Sequence, residues 1–293
     1  MFFVTGSTGF IGKQLVDKIE GEIRVLSREP HPQYETIICD LASDMIPRAS
    51  IDGVDTIFHL AGVAHDKRDA SKIESHYRAV NVDATVRLAE LAVASGVKRF
   101  IFVSSVKAGG PAVVGHCMTE VDQREPEDIY GKTKREAEVR LLEIDHLSGM
   151  HVSIVRPSLV YGPGVKGNLR LMQAGIKKGW FPPLPEVNNR RSMIHVDNLV
   201  KALILVSEDD RTNGEIYIAT DDQPYSSREI YEASCAIMGK PVPKWHLPRI
   251  AFDILSHLSP RLRYKVGKLF DDECYSSKKL QSLGFNPQRS LRD

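Results

Sequence analysis

The sequence predicts an α/β fold: a doubly wound parallel sheet followed by a smaller C-terminal α+β lobe. Three observations predict it. A glycine-rich turn joins the first apolar run to a helical pattern. Short apolar runs then alternate with amphipathic helices as far as residue 160, and turn clusters break this regularity over 161–293. We expect residues 1–160 to form the sheet domain, completed by a later strand near 190–220, and residues 161–293 to form mainly the lobe.

The first turn has the composition of a phosphate-binding turn. An apolar strand at residues 2–4 leads into Gly6, Gly9 and Gly12, and the helical pattern follows at once. Glycine permits a positive φ and a close approach of a ligand to the backbone, and a helix N-terminus offers unpaired N–H groups to an anion. The pyrophosphate of a dinucleotide suits such a turn. The predicted cofactor contacts here are Gly6, Thr8, Gly9, Phe10, Ile11 and Gly12.

Residues after the next three strands are candidates to hold the rest of the dinucleotide. Arg28 follows a strand at 23–26, and an arginine in this place favours the 2′-phosphate of NADP over NAD. Asp40 lies in a third strand at 37–41, where it can bind the adenine amino group or cap the following helix. A fourth strand runs through 56–62 into a turn of small residues beside which a ribose can pass. The predicted contacts are Arg28, Asp40, Leu41, Leu60, Ala61 and Gly62.

A long amphipathic helix and a fifth strand come next. Apolar residues recur at three- and four-residue steps between positions 73 and 91, and Asn81 lies one residue off that stripe. Its amide can bind backbone and fix the turn near the site. The fifth strand, over 99–105, delivers Ser104 and Ser105 at its carboxyl end, where ligands bind in open parallel sheets.

Tyr130 and Lys134 are the candidate catalytic pair. Pro126 predicts a helix start, and residues four apart share one helix face. A phenol has an ordinary pKa of about 10, and we expect the Lys134 ammonium to lower the pKa of Tyr130 toward neutrality. Ser105, 25 residues earlier, can hydrogen-bond the same substrate oxygen. The predicted catalytic residues are Ser105, Tyr130 and Lys134.

Together these motifs resemble the extended short-chain dehydrogenase/reductase family, in particular its nucleotide-sugar epimerases, dehydratases and reductases. The resemblance implies a Rossmann domain that binds NAD or NADP, with catalytic roles for Ser105, Tyr130 and Lys134. It also implies cofactor contacts from Asn81, Lys134 and Pro157. The motifs that carry it are residues 5–12, 40–41, 59–62, 81–82, 104–105, 130–134, 156–157 and 161–164.

The second half contains candidate substrate contacts. Arginine binds phosphate through a planar fork, so Arg191 is a candidate clamp for a diphosphate. In the resembling family an arginine at this place holds the nucleotide diphosphate, and an asparagine–leucine pair contacts the base. The resemblance therefore implies Asn168 and Leu169 as substrate contacts, together with Ser105, and a substrate that is a nucleotide sugar, with UDP the expected nucleotide.

The reaction at the sugar is left open between two outcomes. Leu159 replaces a polar residue that is common in the epimerases, and Arg28 favours NADP, so the chain is similar to the 4-keto-sugar reductases of polysaccharide (O-antigen) synthesis. A UDP-sugar 4-epimerase uses the same residues. A dehydratase is disfavoured because Val106 and Lys107 follow Ser105 where an acidic pair is needed. The alternatives are a non-catalytic NAD(P)-binding sensor and a reductase of a non-nucleotide carbonyl compound.

Composition bounds the partners. The net charge of +1 gives no reason to expect nucleic acid or an anionic membrane as the main partner, and no apolar run is long enough to span a bilayer. The four cysteines have no metal-type spacing, and we interpret them as reduced thiols in a cytoplasmic protein. Family members pair through two helices per subunit, so a homodimer through the helices at 73–91 and 130–147 is expected.

Overall fold

A computed structural model describes residues 1–64 and 70–292. Its centre is a seven-stranded, wholly parallel sheet. The strands of this sheet are β1 Phe2–Thr5, β2 Ile23–Ser27, β3 Glu35–Ile38, β4 Thr56–His59, β5 Arg99–Val103, β6 His151–Pro157 and β9 Glu215–Ala219. They lie in the order β3-β2-β1-β4-β5-β6-β9. The sheet confirms the predicted doubly wound α/β class.

Helices cover both faces of this sheet. The helices are α1 Phe10–Val16, α2 Ala70–Arg78, α3 Ala84–Ala94, α4 Ile129–Ser148 and α6 Val196–Glu208. On one face, aliphatic side chains from α1 and α6 pack with β1, β2 and β9 around residues such as Leu15, Val25 and Leu203. On the other, α3 and α4 pack over β4–β6 through Leu88, Phe100 and Leu141. Burial of both faces explains why the central strands are nearly continuous apolar runs.

A second, three-stranded sheet and four longer helices form the lobe. Its strands β7 Leu159–Tyr161, β8 Arg191–His195 and β10 Pro224–Tyr225 lie in the order β10-β8-β7. Its core includes Met193, Tyr225 and Phe252, and Phe10 of the glycine-rich turn packs against that core. The lobe helices are α5 Gly167–Lys178, α7 Ser227–Ile237, α8 Arg249–Leu258 and α9 Pro260–Phe270, and the short α10 Lys278–Gln281 follows them.

Three predicted elements have different bounds in the structure. The third strand ends at Ile38, before Asp40, because Asp40 begins a hydrogen-bonded turn. The long helix expected over 73–91 is continuous but contains a π-helical turn at Ala79–Asp83. The helix expected from Pro126 begins at Ile129, where the Asp128 carboxylate accepts a hydrogen bond from Gly131 N at 2.7 Å. These shifts place Asp40 beyond its predicted strand and leave Asn81, Tyr130 and Lys134 on their predicted helices.

Within residues 1–64 and 70–292, no helix combines the length and apolar character that a bilayer crossing requires.

Candidate active site

The glycine-rich turn is closely packed against the turn after β4. Gly6 has φ +74°, and a Cβ there would lie 2.8 Å from Ala61 N. A Cβ on Gly12 would lie 2.1 Å from the carbonyl oxygen of Gly6, and Gly9 N donates to that same oxygen at 2.9 Å. Gly6 and Gly12 are therefore required by the backbone of the turn itself. Of the other predicted contacts in the turn, Thr8 is exposed, and Phe10 and Ile11 are half-buried.

Unpartnered hydroxyls lie at the ends of strands around this turn. The buried Oγ atoms of Ser7, Ser104 and Ser158 have no hydrogen-bond partner among the described residues. These serines follow β1, β5 and β6, at the carboxyl edge where parallel sheets bind ligands. A buried hydroxyl without a partner costs free energy, so such groups call for a polar ligand. The residues present fit a dinucleotide laid across this edge.

The candidates after β2 and β3 lie at the same edge. Arg28 is exposed directly after β2. The carboxylate of Asp40 accepts a hydrogen bond from Ala42 N at 3.0 Å, and Leu41 is buried in the core. Asp40 therefore closes a turn and caps no helix of the described chain, and its predicted contact with the adenine amino group stays a prediction.

His59 links the end of β4 to the neighbouring elements. Its Nδ1 lies 2.7 Å from Thr5 Oγ1 and its Nε2 lies 2.8 Å from Thr85 Oγ1. Burial, and second the positive charge of Lys134, lower the pKa of His59 to about 3, so the ring is neutral. Thr5 Oγ1 also accepts a hydrogen bond from Ala61 N at 3.2 Å. This network fixes the turn at Leu60–Ala61–Gly62, in which Leu60 and Ala61 are half-buried and Gly62 is exposed.

Asn81 connects that turn to α4. Its Oδ1 accepts from Val63 N at 2.8 Å, and its Nδ2 donates to Val63 O and to Thr133 Oγ1, both at 3.1 Å. Asn81 is fully buried within the π-helical turn. The structure thus places the Asn81 amide on backbone next to the site, as the sequence predicted.

Ser105 and Tyr130 are brought together. The Ser105 hydroxyl lies beside the Tyr130 phenol, and Ser105 Oγ accepts a hydrogen bond from Lys107 N at 3.2 Å. Burial raises the pKa of Tyr130 to about 12, and the interaction with the Ser105 hydroxyl opposes this rise. The predicted lowering of the Tyr130 pKa is therefore wrong for this structure: loss of water outweighs the favourable contacts. The phenol is protonated at neutral pH.

Lys134 lies one helical turn beyond Tyr130 and is 3% exposed. Its ammonium donates to the carbonyl oxygen of Val103 at 2.9 Å and lies 4.4 Å from the centre of the Phe102 ring. Burial lowers the pKa of Lys134 to about 8. A Cβ on Gly62 would lie 3.3 Å from Lys134 Nζ, so the ammonium is adjacent to the cofactor-side turn.

A buried ion pair anchors the catalytic helix to β6. Arg156 Nη2 and Nε lie 2.5 and 2.8 Å from the carboxylate of Glu138, and both side chains are at most 2% exposed. Pro157, the predicted cofactor contact, follows at the end of β6 and is buried. Arg156 therefore has a structural role below the site.

The predicted substrate contacts have unlike surroundings. Asn168 is exposed at the start of α5, whereas the Leu169 side chain is buried in the lobe core. The guanidinium of Arg191, on β8, lies 2.8 Å from the Glu273 carboxylate and 3.2 Å from Asp271 O. Arg191 is thus partly neutralised by a carboxylate that the sequence reasoning missed.

The Glu273 carboxylate lies near three cations, one of which is Lys107, two residues after Ser105. It lies 2.6 Å from Lys107 Nζ, 2.8 Å from Arg191 and 3.7 Å from Lys268 Nζ. Burial raises the pKa of Glu273, but the attraction of these cations is the larger effect and lowers the pKa to about 2. One negative charge among three positive ones leaves a surplus that suits an anionic substrate group. No local signal marks this cluster, because its members come from distant parts of the chain.

The four cysteines are not all reduced thiols, so that prediction is wrong. Cys117 and Cys274 form a disulfide across a sequence separation of 157 residues, whereas Cys39 and Cys235 are free and buried. Pairing of the two segments brings the sulfurs together, since Met118 N donates to Cys274 O at 2.9 Å. The cysteines therefore give no support for a cytoplasmic location.

Sequence comparison then identifies the family. The model of the NAD dependent epimerase/dehydratase family matches residues 2–219. The chain belongs to this family. A UDP-glucose 4-epimerase of Vibrio cholerae is 32% identical over 258 residues, 84% of this chain and 77% of that protein. A 3 beta-hydroxysteroid dehydrogenase/Delta 5-->4-isomerase of Mycobacterium tuberculosis is 28% identical over 316 residues, 97% of this chain and 85% of that protein.

Structural comparison agrees with this placement. MoeE5 in complex with UDP-glucose and NAD superimposes with a TM-score of 0.79 at 25% identity, covering 99% of this chain and 94% of that chain. The fold and the order of its motifs are therefore those of an NAD-dependent, enzymatic family that includes sugar-modifying enzymes.

Proposed function

We propose that this chain is an NAD(P)-dependent oxidoreductase that acts on C4 of a nucleotide sugar, with Tyr130 as its acid/base residue. The observation that carries the proposal is the Ser105 hydroxyl beside the Tyr130 phenol, with buried Lys134 one helical turn away. This trio lies at the carboxyl edge of the sheet, beside the glycine-rich turn. A positioned phenol with a hydroxyl partner suits proton transfer at a hydroxyl or carbonyl oxygen.

Each residue of the trio has a separate part in the reaction. NAD(P), when bound, gives or takes the hydride at sugar C4. Tyr130 gives a proton to the C4 oxygen in reduction and takes it in oxidation. Ser105 holds the same oxygen by a hydrogen bond, and the Lys134 ammonium stabilises the negative charge that forms on Tyr130 when its proton leaves.

We propose reduction of a 4-keto sugar as the first direction to test. With its pKa raised to about 12, Tyr130 is in the protonated form that donates to a carbonyl oxygen. Exposed Arg28 after β2 further favours NADP, because an arginine there can contact the 2′-phosphate. A 4-epimerase uses the same trio twice, and the Vibrio cholerae relative supports that alternative.

The surplus positive charge around Glu273 supports a diphosphate-bearing substrate, with Arg191 as its clamp and Asn168–Leu169 at the base. The hydroxysteroid-acting relative supports the rival, a substrate without a nucleotide.

Calorimetry distinguishes a nucleotide-sugar substrate from a substrate without a nucleotide. We expect UDP to bind wild-type protein and to bind at least about tenfold more weakly to Arg191→Met, the loss of one charged hydrogen bond. Absence of UDP binding to folded wild type overturns the nucleotide-sugar proposal.

Cofactor identity separates reductase from epimerase. An epimerase keeps its dinucleotide through each turnover, so mass spectrometry of the purified protein then finds retained NAD. We expect instead that added NADPH is oxidised with a 4-keto-6-deoxy UDP-sugar. Retained NAD together with interconversion of C4 epimers, without net NADPH consumption, overturns the reductase direction.

We also propose a homodimer formed by α2–α3 and α4, two long helices that pack side by side on one face of the sheet. Light scattering after size exclusion tests it: a mass of twice 32.7 kDa is expected, and a monomer mass contradicts it.

A further inference from the structure

The outer face of α8 is apolar and open to solvent. Ile250, Ile254 and Leu258 recur every four residues, so they share one side of the helix. Their side chains are 65%, 62% and 69% exposed. Exposed aliphatic residues are unremarkable singly, but three in a row on one helix face form a continuous apolar strip.

This exposure belongs to a well-packed element. The inner side of α8 buries Phe252, whose ring lies 5.0 Å from that of Phe270 on α9. The Arg249 guanidinium lies 4.2 Å from the Phe270 ring and 2.9 Å from the Asp253 carboxylate. Because α8 is fixed on its inner side, its outer strip is a stable surface feature.

Exposed aromatic residues precede and follow the strip in the chain. Trp245, before α8, is 60% exposed, and Tyr264, on α9, is 62% exposed. The segment before α8 is held by a hydrogen bond from Leu247 N to Pro183 O at 3.1 Å. Tryptophan and tyrosine favour the boundary between water and lipid, since each has an apolar ring and a polar tip.

The same part of the chain is strongly basic. Residues 240–270 contain seven lysines and arginines and one acidic residue, Asp253, a net charge of +6 against +1 for the whole chain. Asp253 is paired with Arg249, whereas Arg263 and Lys265 are exposed on α9. The stretch that contains the apolar strip is therefore positively charged, although the overall charge is close to zero.

We propose that the strip Ile250–Ile254–Leu258, with Trp245, Tyr264, Arg263 and Lys265, is a docking surface for a membrane that contains anionic phospholipid. An amphipathic helix with aliphatic and aromatic residues on one side and basic residues beside them binds in the plane of a bilayer interface. A second copy of the chain is a poor occupant, because a symmetric contact would place two basic surfaces against each other.

The docking surface borders the candidate active site. Lys268 of α9 lies 3.7 Å from Glu273, which pairs with Lys107, two residues after Ser105. Docking through α8 and α9 would therefore hold the substrate cleft close to the lipid surface. This inference goes beyond the proposed function and does not depend on it.

Vesicle sedimentation tests the proposal with the full chain. Wild type is expected to pellet with vesicles of phosphatidylcholine and phosphatidylglycerol and to remain in solution with phosphatidylcholine alone. Ile254→Glu is expected to lower the partition coefficient at least about tenfold. Arg263→Ala and Lys265→Ala are each expected to lower it about fivefold, and added salt is expected to lower it for wild type.

Met45→Glu is the matched control. Met45 is 86% exposed and lies outside the lobe, so the substitution adds the same charge at a site that should leave the partition coefficient unchanged. Thermal melts verify that each variant is folded. The proposal fails if wild type does not pellet with anionic vesicles, or if Ile254→Glu and Met45→Glu pellet equally. It also fails if Ile254→Glu changes the molar mass in solution and leaves pelleting intact, which would make the strip a contact between copies.

Discussion

The ammonium of Lys134 donates a hydrogen bond to the carbonyl oxygen of Val103 at 2.9 Å, beneath the catalytic helix and against the end of β5. Burial lowers the pKa of Lys134 to about 8, so at pH 7 the fold maintains a charge that its surroundings disfavour. A site maintained at the expense of stability is typical of a functional residue.

Lys134→Met is therefore expected to abolish turnover and to stabilise the fold. At pH 7 the free energy of unfolding should rise by about 2 kcal/mol, the cost of the buried charge less one lost hydrogen bond. The pKa of Lys134 is lower in the folded protein (about 8) than its ordinary value of 10.5, so the charged form destabilises the fold. Wild type is free of this destabilisation above pH 10.5 and acquires it as the pH falls toward 8. The difference between variant and wild type should therefore shrink from pH 8 to pH 10.5. Urea titrations at both ends check it, and a variant less stable than wild type at pH 7 would refute it.

Gly12 and Gly9 differ in what a methyl group would meet. A Cβ on Gly12 would lie 2.1 Å from Gly6 O, whereas one on Gly9 would lie 3.0 Å from it. Gly12→Ala is expected to destabilise the protein by about 3 kcal/mol and to weaken dinucleotide binding, with Gly9→Ala much milder. Thermal melts and a fluorescence titration with NADPH compare the pair. Equal stability and equal affinity in the two variants would mean that the turn is not packed as described.

The buried pair Arg156–Glu138 should behave as a coupled unit. Arg156→Met leaves a carboxylate buried without its partner, so a loss of about 3–5 kcal/mol in the free energy of unfolding is expected. The double variant Arg156→Met with Glu138→Leu should recover most of that loss. A double-mutant cycle in urea measures the coupling, and additive effects of the two substitutions would contradict it.

The disulfide can be checked by counting free thiols before and after reduction. Without reductant, unfolded protein should present two titratable thiols, those of Cys39 and Cys235, and after reduction it should present four. Cys117→Ser is expected to lower the free energy of unfolding by roughly 2–4 kcal/mol under oxidising conditions. Four thiols in unreduced protein would show that Cys117 and Cys274 are not bonded.

Features of the site that depend on local pattern could be predicted from sequence. Gly6, Ser105, Tyr130 and Lys134 each lie at the end or on one face of a single element, and the alternation of strand and helix fixes which ends meet. The sequence indicated that the Asn81 amide can bind backbone, and the structure identifies Val63 as its partner.

Features that depend on distant pairings could not be predicted. Glu273 meets Lys107 across 166 positions, and Cys274 meets Cys117 across 157. Neither the segment around residues 107–117 nor the one around residues 273–274 has a sequence pattern that identifies the segment it pairs with. One further expectation failed: Lys134 was expected to lower the pKa of Tyr130, whereas burial, which depends on the whole fold, raises it.

The most direct measurement compares wild type with Tyr130→Phe in cofactor-linked turnover of a 4-keto UDP-sugar, with UDP binding measured on the same samples. The Phe variant keeps the ring and loses the hydroxyl that lies beside Ser105. We expect turnover to fall about a hundred- to ten-thousandfold while UDP binding stays within about twofold. Turnover that survives in Tyr130→Phe would contradict the role of Tyr130 and with it the proposed mechanism.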